Sequence, residues 1–157
     1  KKILLTAEYA GLVLNADTSD NIGSLTSGYT AASRMNYYSW TTTQATSQDY
    51  DLIVQVPIPT DWSAWDGNMS VNVCGSNNTA AAIAATIVDS AGSVQTTQNI
   101  GNTSGGGVPC TTYATSNVTM AGTYTAGDYF TLRIKLTSPQ NGDIRVGNIS
   151  LNYLSNF

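Results

Sequence analysis

The stretch Phe130-Thr131-Leu132-Arg133-Ile134-Lys135-Leu136 alternates strictly between apolar and polar side chains. Successive side chains of a β-strand point to opposite faces, so this stretch predicts a strand with one face in a core and the other towards solvent. The same alternation recurs along the chain. It predicts three further sets of buried side chains: Tyr50, Leu52, Val54, Val56 and Ile58; Met69, Val71 and Val73; and Ile144, Val146, Ile149, Leu151 and Tyr153. The phase of the last set changes at Gly147, which predicts a β-bulge.

Turn signals separate these predicted strands. They lie at residues 17–23, 66–67, 75–78, 90–93, 101–107, 127–128 and 141–142. Residues 79–88 are rich in alanine, which favours a helix, but Thr86, Ile87 and Val88 are β-branched, and we favour a strand. Short strands with regular turns predict an all-β fold: a single antiparallel β-sandwich, jelly-roll-like, over residues 1–157.

The composition excludes several classes of protein. Only 10% of the residues are charged, and the polar residues are mainly 22 Thr, 16 Ser and the amides. Hydrophobic residues make up 41% of the chain, which argues against disorder. The net charge of −4 would be repelled by a phosphate backbone, so nucleic acid is a poor partner. No apolar run approaches the length of about 18 residues that a membrane-spanning helix needs, so membrane insertion is not predicted.

The chain contains no histidine, which rules out a Ser-His-Asp or Cys-His catalytic site. A glycosidase pair could be built from aspartates, but no sequence signal selects such a pair. The sequence therefore predicts a protein that is not an enzyme.

The two cysteines, Cys74 and Cys110, are 36 residues apart. Without histidine they make a poor zinc site, and a disulfide is the better interpretation, with two buried free thiols as the alternative. Such a bond would stabilise the fold by roughly 3–4 kcal/mol in the chain-entropy model. It also indicates an oxidising compartment, hence an extracellular or cell-surface protein.

Two groups of residues could bind a ligand. Asp17, Ser19, Asp20 and Asn21 offer clustered oxygens that suit a structural calcium ion, although an ordinary turn stabilised by Asp and Asn is the favoured explanation.

The second group is Trp62 and Trp65 with Asp61 and Asp66. Exposed aromatic rings can stack on sugars while aspartates bind the hydroxyl groups. The alternative is that the two indoles close one end of a sandwich core.

Three segments carry a family resemblance. They are residues 5–28 (LTAEYAGLVLNADTSDNIGSLTSG), 35–65 (MNYYSWTTTQATSQDYDLIVQVPIPTDWSAW) and 126–157, which begins AGDYFTLRIKL and ends RVGNISLNYLSNF. They resemble a terminal domain of secreted surface proteins from uncultivated, small-genome bacteria, similar to fibre heads or adhesin tips. The resemblance implies a structural role and provides no activity to carry over to this chain.

A looser resemblance is to jelly-roll carbohydrate-binding modules. Ala7-Glu8-Tyr9 and residues 149–154 are similar to the first and last strands of those modules. The family often holds calcium between these strands with a pair of acids and a late aspartate. Here Glu8 stands alone and Asn152 occupies the late position, which puts that calcium site in doubt.

Two functions follow from these observations. The first is a non-enzymatic extracellular structural or adhesive domain that associates with itself, as a subunit or tip of a cell-surface fibre or filament. Its weakly charged faces of Thr, Ser, Asn and Gln offer little protection against edge-to-edge pairing. The alternative is a carbohydrate-binding module that binds glycans through loop aromatics.

Overall fold

The computed structural model describes residues 1–75, 80–101 and 110–156. Within these ranges the chain forms twelve strands and no helix. They are β1 (Lys2–Leu5), β2 (Val13–Asn15), β3 (Ser24–Thr30), β4 (Met35–Thr41), β5 (Gln48–Pro57), β6 (Trp62–Trp65), β7 (Met69–Gly75), β8 (Ala82–Val88), β9 (Val94–Asn99), β10 (Ala114–Val118), β11 (Tyr129–Ser138) and β12 (Asp143–Ser155).

The strands form two antiparallel sheets packed face to face, which confirms the predicted jelly-roll-like β-sandwich. Sheet A has the strand order β10-β7-β12-β4-β3, and both β1 and β6 also pair with β12. Sheet B has the order β2-β5-β11-β8-β9. Residues 82–88 of the alanine-rich segment form strand β8 rather than a helix, pairing with β11 and β9. The β-branched Ile83 and Ile87 alternate into the core. The described residues contain no helix that could span a membrane.

The alternating stretch that predicts the fold is the centre of sheet B. In β11, Leu132 lies opposite Val54 of β5 and opposite Ile87 of β8, and all three are buried. The other predicted core residues are also buried, except Tyr50. Its ring is half-buried against Trp40, with ring centroids 4.9 Å apart, because β5 begins at the margin of the core.

The predicted bulge at Gly147 is present, since the register between β12 and β7 shifts between Val146 and Ile149. The end of the Met35 side chain packs where a Cβ atom of residue 147 would lie, so a larger residue there would have to displace Met35. The carbonyl oxygen of Gly147 also accepts a hydrogen bond of 2.5 Å from the buried hydroxyl of Tyr9.

A disulfide joins Cys74 of β7 to Cys110 on the outer face of sheet A, as predicted. Beside it, the buried carboxylate of Asp143 accepts hydrogen bonds from Ser39 (2.7 Å), the amide of Cys110 (2.9 Å) and the Arg145 guanidinium. The bond and this network hold residue 110 against the sheet.

Two of the predicted turns lie largely outside the described residues. These are the turns at 75–78 and 101–107, of which the structure describes only Gly75 and Gly101. The turn at 89–93 is a hairpin turn as expected, closed by a hydrogen bond of 3.0 Å from the amide of Gly92 to the carbonyl of Asp89.

Candidate functional site

A concave depression lies on the outer face of sheet B. It encloses about 350 Å³, and its lining includes Ile53, Thr86, Val94, Tyr129, Thr131 and Arg133. The loop between β8 and β9, around Asp89, forms one wall. We call this depression the outer groove.

Strand β11 places three of the lining side chains. Tyr129, Thr131 and Arg133 alternate with the buried Phe130 and Leu132, so they face away from the core. Arg133 lies directly opposite Ile53 of β5 and Thr86 of β8. The floor of the groove is thus assembled from strands that are far apart in the sequence.

The groove combines apolar surface with a few polar groups. Tyr129 is 39% exposed and Val94 is 62% exposed, whereas Thr86 is buried and its hydroxyl lies 3.3 Å from that of Thr97. A concave, largely apolar surface with a few fixed polar groups is typical of small-molecule sites. An exposed tyrosine ring there offers a flat apolar face beside a polar hydroxyl.

Asp89 in the wall of the groove, and Asp128 next to Tyr129 in the sequence, accept hydrogen bonds that hold loops. The Asp89 carboxylate accepts hydrogen bonds from the amides of Ala91 (3.0 Å) and Ser93 (2.8 Å) and from the Gln95 side chain (2.6 Å). The Asp128 carboxylate accepts hydrogen bonds from the hydroxyl of Ser90 and the amide of Tyr129, and these hold its pKa below the usual range.

The predicted calcium residues lie beside the same face of sheet B. The Asp17 carboxylate is bound by Lys135 of β11 at 2.6 Å and by Asn21 at 3.3 Å, which lowers the pKa of Asp17. The Lys135 ammonium also lies 3.2 Å from Asp49. Ser19 donates its amide to Asp17 at 3.4 Å.

Asp20 contributes to this loop through its carbonyl oxygen, which accepts a hydrogen bond of 2.6 Å from the amide of Asp49. Contacts with β5 and β11 therefore hold this loop. Among the described ranges, no group of three or more acidic, cysteine or histidine side chains is arranged to hold a metal. A calcium ion here stays a prediction.

The predicted sugar-binding tryptophans lie at one end of the sandwich. Trp62 and Trp65 of β6 are half-buried, with ring centroids 5.5 Å apart, and Trp65 packs edge-on against Phe130 of the core at 5.9 Å. Tyr124 contacts both indoles. This packing is the arrangement expected of rings that close the core.

The neighbouring aspartates differ in their exposure. The Asp61 carboxylate forms an ion pair with Lys1 and accepts a hydrogen bond of 3.2 Å from Tyr153, so its pKa is lowered. Asp66 is exposed, and its amide bonds to the carbonyl of Asn152 at 2.9 Å. Sugar binding by Trp62, Trp65, Asp61 and Asp66 stays a prediction.

A larger cavity of about 480 Å³ lies near Ile22, Thr42 and Asn141. Neither an aromatic nor a charged side chain is found among the described residues that line it. It therefore offers less to hold and orient a ligand than the outer groove does.

The outer groove was not found from the sequence. Alternation does place Thr131 and Arg133 on the solvent face of their strand, but it gives no sign that Ile53 and Thr86 lie beside them. The signal that could have drawn attention is composition: Arg133 is one of only three arginines in the chain, and it lies in the middle of a strand.

The sequence matches no known family model and no curated protein. The fold, however, is shared with solved carbohydrate-binding modules. TmCBM61, solved with β-1,4-galactotriose, has a TM-score of 0.56 at 9% identity, covering 92% of this chain and 90% of that one. A family 6 carbohydrate-binding module has a TM-score of 0.56 at 14% identity, with 97% and 94% covered. CsCBM6-3 from Clostridium stercorarium, solved with cellobiose, has a TM-score of 0.54 at 14% identity, with 97% and 94% covered. At these identities the likeness establishes the fold.

Proposed function

We propose that this chain is a non-catalytic carbohydrate-binding module that binds an oligosaccharide in the outer groove. The observation that carries the proposal is the exposed ring of Tyr129 in a concave face of a sandwich. Two structures that share this fold were solved with β-1,4-galactotriose and with cellobiose.

The groove offers the two kinds of contact that a sugar needs. The face of an aromatic ring carries partial negative charge and attracts the C–H groups of a sugar ring, while burying both surfaces removes apolar area from water. The hydroxyl of Thr131 and the guanidinium of Arg133 lie further along the same strand. They can hydrogen-bond to sugar hydroxyl groups.

A binding role fits this groove better than catalysis. Glycoside hydrolysis requires one carboxylic acid that stays protonated and a second carboxylate across the bond. The Asp89 and Asp128 carboxylates are instead acceptors in loop hydrogen bonds, and the lowered pKa of Asp128 keeps it ionised. Neither is placed to act as a general acid.

An extracellular location follows from the same proposal. The disulfide between Cys74 and Cys110 supports it, because such bonds form and persist in oxidising compartments. Oligosaccharide ligands are also abundant outside cells.

A glycan array followed by titration calorimetry tests the proposal. Tyr129→Ala should weaken binding of any oligosaccharide hit by about tenfold or more, because the stacking face is lost. Tyr29→Ala is the matched control, since Tyr29 of β3 is 61% exposed and lies on the other sheet. Binding that survives Tyr129→Ala but not Trp65→Ala would move the site to the tryptophans. No hit on the array would overturn the proposal.

Self-association into a fibre is the second candidate function. The edge strands β3, β9 and β10 carry no charged residue. No charge on these strands therefore opposes pairing of their free backbone groups with a strand of another molecule. The N-terminal strand β1 pairs with β12 of its own chain. Sedimentation at micromolar concentration tests this candidate: a monomer of 16.5 kDa would exclude it, whereas larger particles would support it.

A further inference from the structure

Among the described residues that line the outer groove, Arg133 is the one cationic side chain, and it forms no ion pair. It is exposed, and none of the ion pairs or hydrogen bonds formed within residues 1–75, 80–101 and 110–156 includes its guanidinium. Arginine carries five N–H donors in a planar fork, so an unpaired guanidinium in a concave site is an unused binding group.

Among the described residues, no acid lies in an ion pair with the Arg133 guanidinium. The carboxylates of Asp89 and Asp128 accept the loop hydrogen bonds described above. Asp51, on the adjacent strand β5, is 1% exposed, and its carboxylate oxygens have no hydrogen-bond partner among the described residues. Burial raises the pKa of Asp51, and the nearby charges of Lys135 and Arg133 oppose this shift without cancelling it.

We propose that the natural ligand is an oligosaccharide containing a uronic acid, whose carboxylate is bound by the Arg133 guanidinium. The inference rests on the proposed function, because it names the ligand of the same groove. Guanidinium and carboxylate match in a bidentate pair of charge-assisted hydrogen bonds. Tyr129 and Arg133 are four residues apart on one strand, about 13 Å, which is longer than one sugar ring. A neutral sugar therefore stacks on Tyr129 while an acidic sugar lies at Arg133.

The groove also limits how many charges the ligand carries. The Asp89 loop forms one wall, the chain has a net charge of −4, and the part of the lining that the structure describes contains a single cation. A densely charged polyanion would meet repulsion beyond Arg133. The ligand is therefore a largely neutral chain with an isolated uronic acid.

The test compares each acidic oligosaccharide with its own carboxyl-reduced, neutral form. Both forms of every uronic-acid-containing glycan are printed on one array, and pairs that bind are measured by titration calorimetry. Wild-type protein should bind the acidic form about 10- to 100-fold more tightly than the reduced form, the range expected for a charge-assisted hydrogen bond. Arg133→Gln should erase this difference, so that the variant binds the acidic and the reduced form with equal affinity.

Arg34→Gln is the matched control, because Arg34 is exposed in the turn between β3 and β4, on the other sheet. It should preserve the preference for the acidic form. Equal binding of the two forms by wild-type protein, with loss of both in Tyr129→Ala, would overturn this inference and leave the proposed function standing. Absence of binding to every pair and to every neutral glycan would overturn both.

Discussion

Replacing Asp143 with asparagine removes the charge at the centre of the network that holds residue 110 against sheet A. The Asp143 carboxylate is 3% exposed and accepts hydrogen bonds from Ser39, from the amide of Cys110 and from Arg145. Asparagine has nearly the same shape, so the substitution tests the charge and the second acceptor oxygen rather than the packing. The expected result is a loss of stability without a change of fold.

The magnitude follows from the burial of the pair. Removing one charge of a buried ion pair costs about 3–5 kcal/mol, because the other charge is left without compensation. The Arg145 side chain is 14% exposed, so water relieves part of this cost. Asparagine also keeps one oxygen acceptor. We therefore expect the free energy of unfolding to fall by about 2–3 kcal/mol.

Urea denaturation at pH 7 with the disulfide intact measures this loss, from the midpoint and the slope of the transition. Asp61→Asn is the matched control: Asp61 also forms an ion pair, but its partner Lys1 is 53% exposed. Exposed pairs contribute about 0–1 kcal/mol. If Asp143→Asn cost no more than Asp61→Asn, the network would not be what holds residue 110 to the sheet.

The same variant predicts a pH dependence. Burial alone would raise the pKa of Asp143, but hydrogen bonds from Arg145, Ser39 and Cys110 outweigh it and lower the pKa. As the pH falls, the unfolded carboxylate therefore binds its proton before the folded one does. The difference in the free energy of unfolding between wild type and Asp143→Asn should be constant above about pH 5. It should shrink as the pH falls through the unfolded-state pKa of about 3.9 towards the lower folded value.

Two further predictions concern the core and the calcium loop. Leu132→Ala should lower the free energy of unfolding by about 2–5 kcal/mol, since Leu132 is 0% exposed at the centre of sheet B. Thr131→Ala, on the opposite face of the same strand, should cost less than about 1 kcal/mol, and equal losses would contradict the face assignment. If calcium binds the loop at Asp17, EDTA should lower the melting temperature of wild type but not of Asp17→Ala. An unchanged melting curve would mean that Lys135 neutralises the loop without an ion.

The sequence predicted those features that depend on local pattern. Alternation identified the buried faces of β5, β7, β11 and β12, and a change of phase located the bulge at Gly147. An isolated pair of cysteines in a chain without histidine predicted the disulfide. Each of these signals lies within a few residues or depends on composition alone.

The features that were missed depend on contacts between distant residues. Asp17 forms an ion pair with Lys135, which is 118 positions away in the sequence. No local pattern predicts that a lysine side chain lies beside this loop. Arg133 lies beside Ile53 and Thr86 only because β5, β11 and β8 are adjacent in sheet B. The sequence also left open whether the tryptophans close the core or face solvent, because both roles place large aromatics near strand ends.

The two arginines on the outer faces of the sheets show why one face is available to a ligand. Arg145 of sheet A pairs with Asp143 and lies 4.4 Å from the centre of the Tyr37 ring. Tyr113 packs near Tyr37 with ring centroids 6.2 Å apart, and the disulfide fixes residue 110 beside them. The chain therefore covers this part of sheet A with its own residues and satisfies the cation.

On sheet B the corresponding cation, Arg133, has no such cover. The groove around it stays open, and the exposed Tyr129 lies on the same strand. The chain has six cationic residues, and one of them, Arg145, is bound in a buried network. Arg133 is left unpaired among the described residues and lies in a concave face, where a ligand can reach its charge. The contrast between the two arginines is the structural argument for binding on sheet B. It predicts that Arg145→Gln lowers stability, whereas Arg133→Gln lowers affinity and leaves the unfolding transition unchanged.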